Sequence, residues 1–153
     1  MGIAEQLGLK LRGRVVVVGV GDSRHGDDGV GPLVAELLTD KGIEHAIDAG
    51  TSPEIETWRI RELDPDTVVF VDAVDLGAKP GDAAILEPDD LRAKGYDTHR
   101  APLKLTMNYL AQELSCRCLL VAVQPMDVRQ DAPMCAEVRR SARTLADVFA
   151  ELI

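Results

Sequence analysis

A chain of 153 residues and 16.5 kDa is long enough for one domain with its own core, and a hydrophobic content of 46% excludes a disordered chain. The net charge of −9 and pI of about 4.7 argue against nucleic acid or an anionic membrane as the main partner, because both recruit basic side chains. The three cysteines, Cys116, Cys118 and Cys135, are odd in number, and no stretch approaches the ~20 apolar residues of a membrane span or the pattern of a signal peptide. These features predict reduced thiols and a cytoplasmic location.

The first element is "RVVVVGV", Arg14 to Val20, a β-branched run suited to a strand buried on both faces. A glycine- and aspartate-rich loop follows. Val30, Leu33, Val34, Leu37 and Leu38 then fall on one helical face. Pro32 is tolerated only in the first turn, so this helix starts near Gly29, and Gly42 ends it. "EHAIDAG", Glu44 to Gly50, reads as a second strand. Ser52 and Pro53 read as N-cap and first residue of a helix whose apolar positions are Ile55, Trp58 and Leu63. "TVVFVDA", Thr67 to Ala73, is a third buried strand, and Gly81 to Pro88 reads as a fourth at a sheet edge. "DDLRAKG" is a short helical turn. "THRAPLKLTMNYLAQEL" is a helix of about four turns carrying Leu103, Met107, Leu110 and Leu114. Cys116 to Pro125 is the fifth strand, with Cys116 and Cys118 on one face as small buried hydrophobes. Asp131 is expected to cap a last helix built on Val138, Leu145, Val148, Phe149 and Leu152. Strands alternating with helices imply right-handed βαβ units. The expected fold is therefore a single α/β domain over residues 1–153, a three-layer sandwich with a twisted, mostly parallel five-stranded sheet and helices on both faces.

In such sheets ligands gather outside the carboxyl ends of the strands. Asp28 lies just past the first strand and Asp72 at the end of the third, so two carboxylates distant in sequence are expected to converge there. Of the three histidines, His25 adjoins the acidic loop as a ligand, a supporting group or a solvated side chain. His45 falls within a strand, as packing or surface. His99 precedes a helix, where it can swing toward the strand ends. Carboxylate oxygens are hard ligands, and an imidazole widens the choice to Ni, Zn or Mn. The bland alternative makes Asp28 an N-cap and Asp72 a turn residue. A dinucleotide fingerprint fails because Arg24 stands where its third glycine belongs and the aspartates repel a pyrophosphate. No Gly-Lys-Ser/Thr follows for a P-loop. Ser23 and Ser52 lack the nucleophile-elbow context, and no cysteine sits in a reactive loop position.

The blocks "GDDGVGPLVAELL", "DAGTSPE", "FVDAVDLGAKPG", "THRAPL" and "VAVQP" occur in an order that resembles the [NiFe]-hydrogenase maturation endopeptidases. Among these the chain is most similar to the branch that processes the hydrogen-evolving enzyme. The resemblance runs from about Val15 to the final helix. It implies a cytoplasmic peptidase that removes a C-terminal peptide from the hydrogenase large-subunit precursor once nickel has been inserted. By motif, the family's metal-binding trio falls on Asp28, Asp72 and His99, which would also carry the catalytic role. The nickel would be brought by the precursor, and water would hydrolyse the peptide with the metal or an aspartate polarising the reactants. Asp27 and Asp75 are weak candidates for a general base against a supporting or capping role. The family loop often begins Gly-Asn, whereas Gly21 is followed here by Asp22. Met126 stands between "VQP" and Asp127, which predicts a shifted loop. The competing expectations are a non-catalytic nickel-binding maturation factor that docks on the precursor, and a peptidase of similar fold with another target.

Overall fold

A computed structural model describes residues 1–93 and 101–153. Its elements in chain order are α1 (Ile3–Lys10), β1 (Val15–Gly19), α2 (Val30–Asp40), β2 (Ala46–Asp48), α3 (Thr57–Glu62), β3 (Thr67–Ala73), β4 (Ala83–Leu86), α4 (Pro88–Ala93), α5 (Ala101–Leu114), β5 (Arg117–Val123) and α6 (Ala136–Leu152), with short 3₁₀ turns at Gly26–Gly29 and Pro53–Glu56. The sheet order is β2-β1-β3-β5-β4. The first four strands in that order are parallel, and β4 joins the edge antiparallel to β5.

The valine runs are buried on both faces because each face carries its own helix layer. Val16, Val18, Val68, Phe70 and Leu120 pack with Ile60 and with Leu103, Met107 and Leu110 of α5. The alternate residues, Val15, Val17, Val69, Val71 and Val121, pack with Leu7 of α1, Val30, Val34 and Leu38 of α2, and Val138, Leu145 and Phe149 of α6. This is the expected three-layer sandwich. Cys116 and Cys118 both belong to the first core, their sulfurs 4.0 Å apart, and burial pushes the Cys118 thiol far above its ordinary range.

Two local expectations are corrected, and one element is added. The N-terminal segment forms α1, which no periodic stripe announces, since Leu7 is its only fully buried residue. Asp131 does not cap the last helix. It sits in the loop at φ 61, and α6 starts after Cys135, whose extended backbone makes the cap position. In the third helical segment the buried residue is Ile60, while Ile55 and Trp58 are 65% and 57% exposed. The cause is the 3₁₀ turn at Pro53–Glu56, whose ~3.0 residues per turn rotate the apolar stripe out of phase with α3.

Candidate active site at the strand ends

α2 enters the sandwich at the carboxyl ends of β1 and β3, and Gly31 makes that approach possible. A Cβ there would lie 2.3 Å from the carbonyl oxygen of Val71 and 2.4 Å from that of Val20. The helix N-terminus therefore rests directly on the two strands, and the 3₁₀ turn Gly26–Gly29 lies against β3. Asp28 in that turn and Asp72 near the end of β3 are thus carried to the same end of neighbouring strands, which pair in register up to Gly19 and Val71.

The alternative roles for these two aspartates do not hold. No side-chain hydrogen bond caps α2. The Asp28 carboxylate instead accepts the backbone N–H of Asp22 at 2.8 Å, reaching back along the loop. Asp72 is no turn residue. It lies within β3 at 2% exposure, and its carboxylate accepts the N–H of Ala73 at 2.9 Å. His99 lies outside the described residues, and among the described residues no group of three or more His, Cys, Asp or Glu is arranged to hold a metal. The other two histidines have other partners, although the carbonyl of His25 accepts the N–H of Asp28 at 3.0 Å. The ring of His25 bonds the carbonyl of Val128 (3.3 Å) and flanks Asp22 (3.6 Å). His45 precedes β2 and meets Arg14 at 3.1 Å.

The remaining aspartates of the loop have structural work. Asp27 is fully buried and accepts three backbone N–H groups: Met126 at 2.7 Å and Asp127 at 3.0 Å on Oδ2, and Cys135 at 2.7 Å on Oδ1. Its own N–H donates to the carbonyl of Asp127 at 2.9 Å. Gly26 beside it has φ 54, and a Cβ there would come within 2.4 Å of the same carbonyl, so the two loops run in close contact. With both oxygens engaged, Asp27 anchors the loop after β5 rather than serving as a base. Met126, the residue that separates "VQP" from Asp127, supplies one of the anchoring bonds.

Asp22 and Asp127 are matched by arginines two residues on. Hydrogen bonds from the Arg24 guanidinium hold Asp22 at about 2, and those from Arg129 hold Asp127 at about 2. Both arginines are largely solvated, so these pairs shape charge more than they stabilise the fold. Gln124 belongs to the block "VAVQP" but has no role assigned from sequence. Its Oε1 accepts the N–H groups of Leu76 (2.6 Å) and Ala78 (3.2 Å), and its Nε2 donates to Asp75 (3.3 Å) and to the carbonyl of Pro125 (3.0 Å). It fastens the loop after β3 to the end of β5. Asp75 belongs to this fastening: it is exposed and also accepts the N–H of Gly77.

Residues 32–151 match the family model described as hydrogenase maturation protease. The chain belongs to the hydrogenase maturation protease family. The hydrogenase 3 maturation protease of Escherichia coli K12 is 35% identical over 133 residues, 85% of each chain. A putative hydrogenase maturation protease of Methanocaldococcus jannaschii is 26% identical over 156 residues, covering 95% of this chain and 91% of its own. The crystal structure of the [NiFe] hydrogenase maturation protease HycI from Thermococcus kodakarensis superposes with a TM-score of 0.83 at 30% identity over 91% of both chains. As a hydrogenase maturation protease the chain is an endopeptidase, a peptide-bond hydrolase, and the non-catalytic docking factor is set aside. Among the described residues no helix is long and apolar enough to cross a membrane.

Proposed function

We propose that this endopeptidase removes the C-terminal peptide of a [NiFe]-hydrogenase large-subunit precursor after nickel insertion, and that Asp28, Asp72 and His99 recognise the inserted nickel. The observation that carries this reading is the delivery of two carboxylates to the ends of the adjacent parallel strands β1 and β3, one of them 2% exposed, in a chain of this family. Burial lowers the local dielectric and strengthens the pull of a carboxylate on a divalent cation. Two carboxylates and an imidazole form an incomplete set that leaves coordination positions to the precursor's own ligands, as suits a metal that is the substrate's cargo.

In this scheme the three side chains close around nickel already held by the precursor. The metal then acts as a gauge of correct loading, and its capture fixes the adjoining peptide bond in place for attack by water. Orientation of this kind supplies much of a hydrolytic rate enhancement. Asp27 ties residues 126–135 to the turn that carries Asp28 and so steadies that turn.

The test is processing of purified nickel-loaded precursor, read as loss of the C-terminal peptide by mass spectrometry. Asp72→Asn and His99→Ala are each expected to reduce the rate at least 100-fold, and nickel-free precursor is expected to stay intact. Full processing by both variants, or rapid cutting of the nickel-free form, overturns the assignment.

A further inference from the structure

Ten large apolar side chains stand exposed among the described residues, and four of them lie on segments that pack against one another. Leu105 and Tyr109 on α5 are 70% and 41% exposed. Ile55 and Trp58, on the 3₁₀ turn and α3 packed beside it, are 65% and 57% exposed. Both phenylalanines are fully buried, while the chain's single tryptophan is here in solvent. Scattered apolar residues on a surface need no explanation, but a cluster on two touching elements marks an interaction site, above all with Trp and Tyr in it. Between the elements lies a groove of about 380 Å³ lined by Glu54, Thr57, Leu105, Thr106 and Tyr109, with Ile55 and Trp58 next to its lining residues Glu54 and Thr57 and forming its rim rather than its wall.

The groove is held in shape. Leu103, Met107 and Leu110 anchor the opposite side of α5 in the core at 0% exposure. Arg61 donates to the Tyr109 hydroxyl at 2.9 Å and bonds Glu113 at 3.5 Å, so the ring is already placed. A surface ordered before binding loses little freedom on binding.

The groove is also continuous with the strand ends. Gly21, in the acidic loop, donates its N–H to the carbonyl of Gly50 at 2.8 Å, and Pro53 opens the groove's 3₁₀ turn three residues later. A standard protein interface covers ~800 Å² per partner, a disc about 16 Å in radius. The four steps from Gly50 to Glu54, which lines the groove, span at most ~14 Å even when fully extended. A protein seated with its scissile bond at the strand ends therefore reaches this face.

We infer that the groove between the Pro53–Glu56 turn and α5 docks the body of the protein substrate. An apolar side chain of the precursor enters between Leu105 and Tyr109, and a basic side chain meets Glu54. Charge favours this occupant over a second copy of the chain. Glu56 and Glu113 are matched by Arg59 and Arg61, Glu54 faces the groove, and two chains of net charge −9 repel one another. The inference rests on the reading that a precursor is cut at the strand ends.

Two measurements test it. Protein labelled with 5-fluorotryptophan gives one ¹⁹F resonance, from Trp58, and nickel-loaded precursor is expected to shift or broaden it. The Leu105→Glu and Trp58→Ala variants, confirmed as folded by circular dichroism, are expected to raise KM for the precursor at least tenfold and leave kcat within twofold. Unchanged KM in both, or a resonance indifferent to precursor, overturns the docking site. A resonance that moves with the concentration of the protease alone assigns the face to self-association and also overturns it. Raised KM in these variants together with full processing by both Asp72→Asn and His99→Ala would sink the metal-site reading and leave the docking site standing.

Discussion

The Asp27 anchor allows a quantitative prediction. Replacing Asp27 with Ala removes the acceptor for three N–H groups, from Met126, Asp127 and Cys135, all at 2.7–3.0 Å. A hydrogen bond to a charged group contributes ~1.5–3 kcal/mol, so three would sum to ~4.5–9 kcal/mol if the donors stayed dry. They do not stay dry, because Met126 is 64% exposed and water reaches its backbone once the loop loosens. The loss is therefore expected at about 3–5 kcal/mol. In a domain of this size ~1 kcal/mol corresponds to ~2–4 °C in Tm, which gives a fall of about 10 °C. Asn keeps one acceptor, an uncharged amide carbonyl oxygen. Turned to serve Met126 and Asp127, it sets its NH₂ against the N–H of Cys135, so Asp27→Asn is expected to cost about half as much. Thermal unfolding followed by circular dichroism gives both numbers. A Tm for Asp27→Ala within 2 °C of the parent would show that the bonds to residues 126–135 hold nothing together.

Gly31→Ala sets two effects against each other. Alanine gains ~1 kcal/mol in helix propensity, but its Cβ meets immovable backbone of Val71 and Val20 at 2.3–2.5 Å, and the clash wins by about 3 kcal/mol or more. Urea denaturation checks this, and a variant as stable as the parent would mean that α2 does not press on the strand ends. Asp22, held at about 2 by Arg24, has a folded value below its unfolded one. Its contribution to stability is complete above about pH 4 and is lost as pH falls toward 2. Arg24→Ala is expected to return Asp22 toward its ordinary value in a carbon-detected NMR titration, and a value still near 2 would refute the pairing.

The strands were legible because their signal is local. "VVVV", "TVVFV" and "CLLVAV" are buried on both faces and need no periodicity to be recognised, and Pro32 and Gly42 bracket α2 by their own conformational limits. The positions of Asp28 and Asp72 followed from strand ends plus topology. What stayed hidden is long-range or depends on phase. The partners of Asp27 lie 99 to 108 residues away in a loop without periodic pattern. Gln124 reads as an ordinary strand-end residue until the loop from Leu76 to Ala78 folds over it. The outward turn of Ile55 and Trp58 depends on a 3₁₀ start that Ser-Pro does not distinguish from an α-helical one.

The order β3-β5-β4 means that β5 inserts between two strands synthesised before it. β4 ends at Leu86 and β5 begins at Arg117, so β4 waits 31 residues (117 minus 86) for the neighbour it pairs with. At ~5–20 residues per second that is about 2–6 s of ribosome time. The loop secured by Asp27 is later still, because its donors run to Cys135. A nascent chain therefore passes most of its translation with β4 unpaired and Asp27 without its partners, and a chain broken off before Met126 lacks every donor that fixes the loop after β5.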